Sequence, residues 1–150
     1  MRDQFMTALK EAMKAGDKAR VGAIRLIQSA IKDKDIEARG LGKGEASAEE
    51  ILGLLQKMIK QRQESASIYR ANARPELADV EEGEIAVIAS FMPKQLDEAE
   101  TKAAIAAAIT ETGAAGMKDM GKVIALLKER FAGQMDFGKA SGLVKAALST

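Results

Sequence analysis

The amino-acid sequence predicts an all-α protein, with an N-terminal helical domain containing a long antiparallel helix hairpin, followed by a small three-helix bundle. Two observations support this prediction. Apolar residues recur at helical spacing along most of the chain, and no segment shows the alternation that is typical of a strand. Aromatic residues are only 3% of the chain while hydrophobic residues are 47%, so the core must consist mainly of aliphatic side chains and methionine, a composition that favours helices.

The first domain is expected to span residues 1–92 and to open with two helices. Residues 2–15 carry apolar side chains at helical spacing, and Gly16 can end that run. Asp17 can cap the second helix, which is followed by a glycine-rich loop at residues 38–46. The side chains expected to face inward on these two helices are Phe5, Met6, Leu9, Met13, Val21, Ile24, Ile27 and Ile31.

The third and fourth helices are expected to form the hairpin. Ser47 and Glu50 match a capping box, which opens a third helix that reaches about Ala73. Pro75 suits the first turn of the fourth helix, which ends near Pro93. The side chains expected to face inward are Ile51, Leu55, Met58 and Tyr69 on the third helix, and Leu77, Ile88 and Phe91 on the fourth.

Pro93 is expected to mark the start of a second domain, residues 93–150, which folds as three helices. Each helix can begin at an aspartate, and the first two can end at a glycine. These residues are Asp97, Asp119 and Asp136 for the starts, and Gly113 and Gly133 for the ends. Because the domain is small, its core is expected to be thin, which favours docking against a partner or against the first domain.

The composition excludes several kinds of chemistry. The chain has no cysteine and no histidine, which removes the thiolate nucleophile, the commonest general base and the commonest transition-metal ligand. No catalytic residue, metal or cofactor is therefore predicted. The 23 basic and 22 acidic residues nearly cancel, so DNA is not expected as a partner and any contact with nucleic acid needs a local basic patch.

The expected localisation is cytoplasmic. The N-terminal segment lacks the apolar core of a signal peptide, and Asp3 and Glu11 argue against a transit peptide. No apolar run approaches the length needed to span a membrane, so no membrane association is expected.

Residues 133–141, GQMDFGKAS, almost match the phosphate-binding loop G-x-x-x-x-G-K-[ST]. That loop requires a preceding strand, whereas a helix is predicted here, and Ser141 stands one place too late to ligate magnesium. Asp136 would also direct its own carboxylate at the amides that should hold phosphate. We therefore favour a turn between two helices over nucleotide binding.

One charged side chain interrupts the apolar stripe of the third helix. Arg62 lies in the middle of that stripe, and on the fourth helix Glu84 lies in the middle of the inner face with Glu81 at its edge. A hairpin brings them to similar depth, and an unpaired charge there would be costly to desolvate, so a partly buried ion pair of Arg62 with Glu84 or Glu81 is predicted. The alternative is that Arg62 binds a phosphate. Nearby cations form either a solvated face or a weak phosphate-binding strip: Lys57, Lys60, Arg70 and Arg74.

Residues 118–145 contain six basic against three acidic residues and form the candidate surface for nucleic acid. Two of the lysines follow Gly121 and Gly138 near helix starts, where phosphate binding is favoured. The candidate nucleic-acid-binding residues are Lys118, Lys122, Lys128, Arg130, Lys139 and Lys145. The alternative is an ordinary surface on which the glycines allow close helix packing.

Three blocks covering most of the chain resemble the GatB/YqeY family, and in particular its free-standing YqeY-like members. They are LKEAMKAGDKARVGAIRLIQSAIKDKDIE, KQRQESASIYRANARPELADVEEGEIAVIASFMPKQL and DMGKVIALLKERFAGQMDFGKASGLVKAAL. The family includes the C-terminal tail of the B subunit of the tRNA-dependent amidotransferase, a carbon–nitrogen ligase with glutamine as amido-N-donor. In that enzyme the tail contacts tRNA, while the catalytic chemistry belongs to other domains and subunits.

The resemblance implies a helical two-part fold and makes tRNA the expected partner of the basic segment. Residues 120–123 and 138–145 are similar to the RNA-facing module of the amidotransferase tail. The leading hypothesis is an accessory protein that binds tRNA and has no catalytic activity alone. The alternative is an adaptor that docks on an amidotransferase or an aminoacyl-tRNA synthetase, and a third hypothesis, a stand-alone amidotransferase-like enzyme, is not expected.

Overall fold

The structure, a computed structural model, describes residues 1–149, and in that range it is all-helical with no strand. The prediction of an all-α protein is confirmed. The seven α-helices are α1 (Arg2–Ala15), α2 (Lys18–Gly40), α3 (Ala48–Ala71), α4 (Pro75–Ala89), α5 (Glu98–Thr112), α6 (Met120–Phe131) and α7 (Phe137–Leu148). One 3₁₀ turn, Met117–Asp119, comes directly before α6.

The helices group into two compact units, the first of Met1–Met92 and the second beginning at Pro93. In the first unit α3 packs mainly on α4, while α2 contacts both α1 and α4. In the second unit α6 packs on both α5 and α7, and the contact between α5 and α7 is less extensive. The contact between α5 and α7 is therefore the smallest of the three contacts between α-helices of the second unit.

Side chains and glycines close the helix ends largely where the sequence predicted. Ser47 Oγ accepts a hydrogen bond from the Glu50 amide at 3.1 Å, and the Glu50 carboxylate accepts one from the Ser47 amide at 3.4 Å. Asp97 and Glu100 form the same capping box on α5. Three glycines end helices with left-handed φ angles that favour glycine, at Gly16 (71°), Gly113 (65°) and Gly133 (74°).

The near-match to a phosphate-binding loop is a turn between α6 and α7. Asp136 Oδ1 accepts hydrogen bonds from the amides of Gly138 and Lys139 at 2.9 and 3.3 Å. These amides cap α7 with the protein's own carboxylate, so the interpretation as a helix-to-helix turn is confirmed.

One prediction about helix ends is wrong. α2 continues to Gly40, so the first residues of the expected loop at 38–46 are helical, and Ala38 is buried on that helix. Asp119 is the N-cap of α6, as predicted, although its side chain makes no capping hydrogen bond to that helix. Its Oδ2 instead accepts a hydrogen bond from the Ala115 amide at 3.0 Å, because the intervening 3₁₀ turn directs the carboxylate back along the chain.

Three side chains expected to face inward are exposed: Met6 (49%), Met13 (55%) and Leu77 (39%). On α1 the buried positions are instead Phe5, Ala8 and Ala12, and the two alanines pack against Ile24 of α2. Small side chains let the two helices approach closely, so the buried stripe of α1 is rotated away from the larger methionines.

Each unit has its own hydrophobic core. The main core of the first is formed by Phe5, Ile27, Ile31, Ala46, Ile51, Leu55, Met58 and Ile88, and the Phe5 and Phe91 ring centroids lie 4.8 Å apart. The core of the second is formed by Ile105, Ala108, Val123, Leu127, Met135, Ala140 and Val144. None of the helices that the structure describes is long and apolar enough to cross a membrane.

Candidate functional site

The predicted nucleic-acid-binding cations are all exposed and lie on three elements of the second unit. Lys118 lies in the 3₁₀ turn, Lys122, Lys128 and Arg130 on α6, and Lys139 and Lys145 on α7. On each helix, two lysines six positions apart point about 120° away from each other, since successive residues of an α-helix turn by about 100°. The cations therefore do not share a single face.

Two of these cations already have carboxylate partners. Arg130 donates to both carboxylate oxygens of Glu111, Nη1 to Oε2 and Nη2 to Oε1, the latter at 2.8 Å. The hydrogen bonds from Arg130 lower the pKa of the Glu111 carboxyl and those to Glu111 raise the pKa of the Arg130 guanidinium. Lys122 Nζ lies 4.0 Å from Asp119 Oδ1. The carboxylates of Glu111 and Asp119 therefore reduce the positive charge with which Arg130 and Lys122 could bind a phosphate.

The remaining lysines are less engaged. Within residues 1–149, Lys128, Lys139 and Lys145 have no carboxylate within 4.0 Å. Lys118 has none at that distance either, although its charge helps to lower the pKa of Asp119, an effect due first to the hydrogen bond from the Ala115 amide. The candidate set therefore divides into paired cations and cations that face solvent.

In the first unit the structure brings Arg62 and Glu84 together. Arg62 Nε donates to Glu84 Oε2 at 2.7 Å, and the two side chains keep only 16% and 25% of their exposure. Arg62 Nη1 also donates to the carbonyl oxygen of Met58 at 3.2 Å. Glu81 does not lie within ion-pair distance of Arg62 in the part of the chain that the structure describes. The Arg62 guanidinium is thus occupied by contacts within the helix pair.

The cations opposite the apolar stripe of α3 are also partly neutralised. Arg70 Nη2 donates to Asp79 Oδ1 at 3.0 Å and to Glu82 Oε2 at 2.8 Å, and Arg70 Nε donates to Glu82 Oε1 at 3.1 Å. Arg74 Nη1 lies 3.9 Å from Glu76 Oε1. Because α4 supplies these carboxylates, the arrangement favours a solvated charged face over a phosphate-binding strip.

A further charged cluster was not predicted from the sequence. Arg2 donates to both oxygens of Asp35, at 2.9 and 2.7 Å, and to the carbonyl oxygen of Ala46 at 2.9 Å. Asp35 Oδ1 also accepts from the Ala46 amide at 2.9 Å. These bonds, first that from Arg2 and then that from Ala46, lower the pKa of Asp35 to about 2. The cluster ties the glycine-rich loop to α1 and α2, so its role is structural.

A groove follows the seam between α5 and α7, which we call the α5–α7 groove. One part, about 670 Å³, lies near the starts of the two helices and is lined by residues that include Glu98, Asp136 and Lys139. The other part, about 510 Å³, is lined almost entirely by apolar side chains, among them Ile105 and Ile109. Leu143 lines both parts, so they adjoin. Sequence reasoning did not find this groove.

No group of three or more histidine, cysteine, aspartate or glutamate side chains in residues 1–149 could hold a metal ion. In the same range no buried side-chain nitrogen or oxygen lacks a hydrogen-bond partner. Two surfaces of the described residues are candidate sites, namely the exposed lysines and the α5–α7 groove.

Comparison with known proteins decides the family. The family model described as "Yqey-like protein" matches residues 2–148. The chain belongs to the YqeY-like family. The resemblance found in the sequence is thereby confirmed.

Curated relatives of this YqeY-like chain include three fungal proteins named "Altered inheritance of mitochondria protein 41, mitochondrial". That of Saccharomyces cerevisiae (strain YJM789) is 38% identical over 84 residues, which are 56% of this chain and 44% of the relative. That of Vanderwaltozyma polyspora is 37% identical over 84 residues, with the same two shares. That of Lachancea thermotolerans is 35% identical over 105 residues, 69% of this chain and 54% of the relative. The chain spans about half the length of the curated relatives it matches.

These relatives contradict the cytoplasmic localisation expected from the sequence, because all three are named as mitochondrial proteins. The expectation was a default that rested on missing apolar segments and on Asp3 and Glu11 as arguments against a transit peptide, and neither observation determines the compartment.

Proposed function

We propose that this YqeY-like protein is an accessory protein that binds tRNA through lysines of its second unit and has no catalytic activity alone. The observation that carries the proposal is that Lys128, Lys139 and Lys145 face solvent with no carboxylate within 4.0 Å among the described residues. Lys118, at the turn before α6, adds a fourth exposed charge. The family's relation to the tRNA-contacting tail of the amidotransferase supports tRNA as the nucleic acid.

Such a surface recognises phosphates rather than bases. The two phenylalanines of the second unit, Phe131 and Phe137, are partly buried against its core, so neither offers a fully exposed ring on which a base could stack. Lysines on separate faces fit the curved backbone of a folded RNA, which proteins recognise by shape and phosphate position. Binding should weaken steeply with salt, by a log–log slope of roughly −0.7 to −0.9 for each phosphate contacted.

The experiment is a titration of the purified full chain against tRNA at two salt concentrations. The double variant Lys128→Glu/Lys145→Glu should bind more weakly, and its salt slope should be less steep by about 1 for each lysine removed. The matched control is Lys10→Glu, because Lys10 is an exposed lysine of α1 that also has no ion pair among the described residues. No binding at low salt, or binding that both salt and the double variant leave unchanged, would overturn the proposal.

Arg130, which is paired with Glu111, allows a second test in the same titration. Replacing Glu111 by Gln removes the negative charge that holds Arg130, so the guanidinium becomes available to a phosphate. We expect Glu111→Gln to bind tRNA more tightly than the unmodified chain and with a steeper salt slope. Unchanged binding by this variant would show that the RNA does not approach this side of α6.

The family association with glutamine-dependent amidotransferases does not make this chain an amidotransferase. The sequence offers no cysteine or histidine for nucleophilic or base catalysis. Glutamine-dependent conversion of mischarged tRNA by the isolated chain would overturn the noncatalytic part of the proposal.

A second candidate function is a protein-interaction adaptor that docks on an amidotransferase or an aminoacyl-tRNA synthetase. The observation that favours it is the α5–α7 groove, whose apolar lining suits a protein surface and gives no phosphate-binding charge at its apolar part apart from Lys102.

A further inference from the structure

We infer that the α5–α7 groove binds an amphipathic α-helix of a partner protein, whose apolar stripe lies between α5 and α7 and which carries an acidic side chain at the end next to Lys139. This inference rests on the adaptor function and specifies its site. It shares Lys139 of α7 with the tRNA proposal, whose candidate lysines on α6 do not line the groove.

The outer surfaces of the second unit differ in chemistry. On α6 the exposed positions include the charged residues Lys122, Lys128, Glu129 and Arg130. On α5, residues 103–110 contain no charge, and three of the exposed positions there are Ala103, Ala106 and Ala107. On α7 the exposed positions include Gly142, Ala146 and Ala147. The charges of α5 lie towards its ends, at Glu98, Glu100, Lys102 and Glu111, and α7 also exposes Lys139 and Lys145. The uncharged middle of α5 is typical of a helix segment covered on both sides, so the α5–α7 side is the one that a partner protein fits.

The shape of the groove fits a helix better than an extended peptide. α5 has 15 residues and is therefore about 22 Å long, enough for an equal length of partner helix, about four turns. The partly buried Ile109 and Leu143 lie along the seam, while Ala106 and Ala146 keep its walls low, so another helix can approach closely. The amides and carbonyls of α5 and α7 are bonded within the helices, so they offer no edge to which a strand could be added.

The charges at one end of the groove specify the partner's polar residue. Glu98 and Lys102 neutralise each other, with Oε1 and Nζ 3.1 Å apart. Asp136 already uses Oδ1 to cap α7. Lys139 is then the charge of the lining without a carboxylate within 4.0 Å in the described residues, and it lies in the first turn of α7. An aspartate or glutamate of the partner helix would form an ion pair with the Lys139 side chain.

The test uses the full chain and a synthetic amphipathic peptide of 15 residues, the length of α5, with leucines at helical spacing and glutamates at one end. Amide chemical shifts in a ¹⁵N NMR titration report where the peptide binds. We expect shifts at Ile109, Leu143 and Ala146, and binding weaker by about tenfold when lysines replace the peptide's glutamates.

Two variants of the protein keep the result decisive. Ala106→Glu and Ala146→Glu place a charge in the groove at exposed positions, so each should fold normally and bind the peptide at least about tenfold more weakly. The matched control is Ala125→Glu, the same substitution at an exposed position of α6, which should bind the peptide unchanged. Lys128→Glu removes a candidate tRNA-binding lysine that does not line the groove, so it should weaken tRNA binding and leave peptide binding unchanged, which makes failure of this inference distinguishable from failure of the tRNA proposal.

Three outcomes would overturn the inference: no shifts at the groove, equal binding of the glutamate and lysine peptides, or equal binding by Ala106→Glu and Ala125→Glu. Groove shifts that depend on protein concentration without peptide would also overturn it, because they would make a second copy of the chain the occupant.

Discussion

The two units differ in what holds their helices together. In the first, partly buried ion pairs join neighbouring helices: Arg62 with Glu84 links α3 to α4, and Arg2 with Asp35 links α1 to α2. In the second, the described ion pair that joins two helices, Arg130 with Glu111, lies on the surface. Apolar packing therefore determines most of the helix arrangement in the second unit, and the α5–α7 groove lies between two of its helices. We infer that the ion pairs between helices fix the register of the helices in the first unit. The second unit is held mainly by apolar packing and keeps an apolar surface to which a partner can bind.

The largest expected effect is that of removing a buried leucine from the core of either unit. Leu55 and Leu127 are each fully buried, one in each unit, and replacing either by alanine should cost about 2–5 kcal/mol. A single core as small as that of the second unit supplies only about 3–5 kcal/mol. We therefore expect Leu127→Ala to unfold the second unit while the first stays folded, and Leu55→Ala to destabilise the first unit. Hydrogen exchange measured residue by residue checks this.

The same experiment tests the proposed division of the chain at Pro93. Leu127→Met is the control, because a volume-conserving change of a core side chain costs less than about 1.5 kcal/mol and should leave both units protected. Loss of protection on both sides of Pro93 in Leu127→Ala would contradict the proposal that the two units fold separately.

The ion pair of the α3–α4 contact should have the next largest effect. The Glu84 side chain is only 25% exposed, and Arg62→Met removes the hydrogen bond that its carboxylate accepts from Arg62. The free energy of unfolding should therefore fall by about 1.5–3 kcal/mol. The double variant Arg62→Met/Glu84→Leu should recover most of that loss, because two apolar side chains avoid desolvating either charge. Urea denaturation of the single and double variants measures the difference.

An exposed pair on the same helices provides the comparison. Arg70→Met removes the bonds to Asp79 and Glu82 at a site where the arginine is 46% exposed, so solvent screens the loss and the effect should be much smaller. If Arg62→Met and Arg70→Met destabilise the protein equally, burial does not explain the importance of the Arg62–Glu84 pair.

The helix ends were predictable because each depends on residues close in sequence. Ser47 with Glu50, Asp136 with the following amides, and glycine at Gly113 all act within one turn. The buried face of α1 was not predictable, since a methionine and an alanine both fit a helical stripe and only packing against α2 selects between them. Asp119 begins α6 as predicted, but its role as acceptor for the Ala115 amide was not predictable, because that role depends on the 3₁₀ turn, which has no clear sequence signal.

The candidate site shows the same limit. The exposure of its cations followed from the sequence, but their partners did not: Glu111 and Arg130 are 19 positions apart on different helices, so their pairing depends on how α5 packs on α6. One feature of the sequence was related to the α5–α7 groove, namely the absence of charged residues at positions 103–110. Alanine is a strong helix former whether it is buried or exposed, so this feature could not predict where a groove lies.

The smallest expected effect concerns the Arg2–Asp35 contact and depends on pH. Asp35 has a pKa of about 2 in the folded chain against an ordinary value of 3.8, so its carboxylate is stabilised by folding. That stability is fully present above the unfolded pKa and is lost as the pH falls through about 2. The Arg2 side chain is 36% exposed, so solvent and salt screen the pair and the effect should be modest.

The measurement compares the melting temperature of the unmodified chain with that of Asp35→Asn from neutral pH down to about pH 2. The difference should be constant near neutral pH and shrink towards the acid end, and amide exchange at Ala46 should rise in the variant because a neutral amide oxygen is a weaker acceptor than the carboxylate. The control is Asp33→Asn, an exposed carboxylate of the same helix with no ion pair among the described residues, whose difference should stay near zero. A difference for Asp35→Asn that persists unchanged to the lowest pH would mean that the side chain's shape, and not its charge, holds the loop, which would remove one of the two ion pairs that distinguish the first unit.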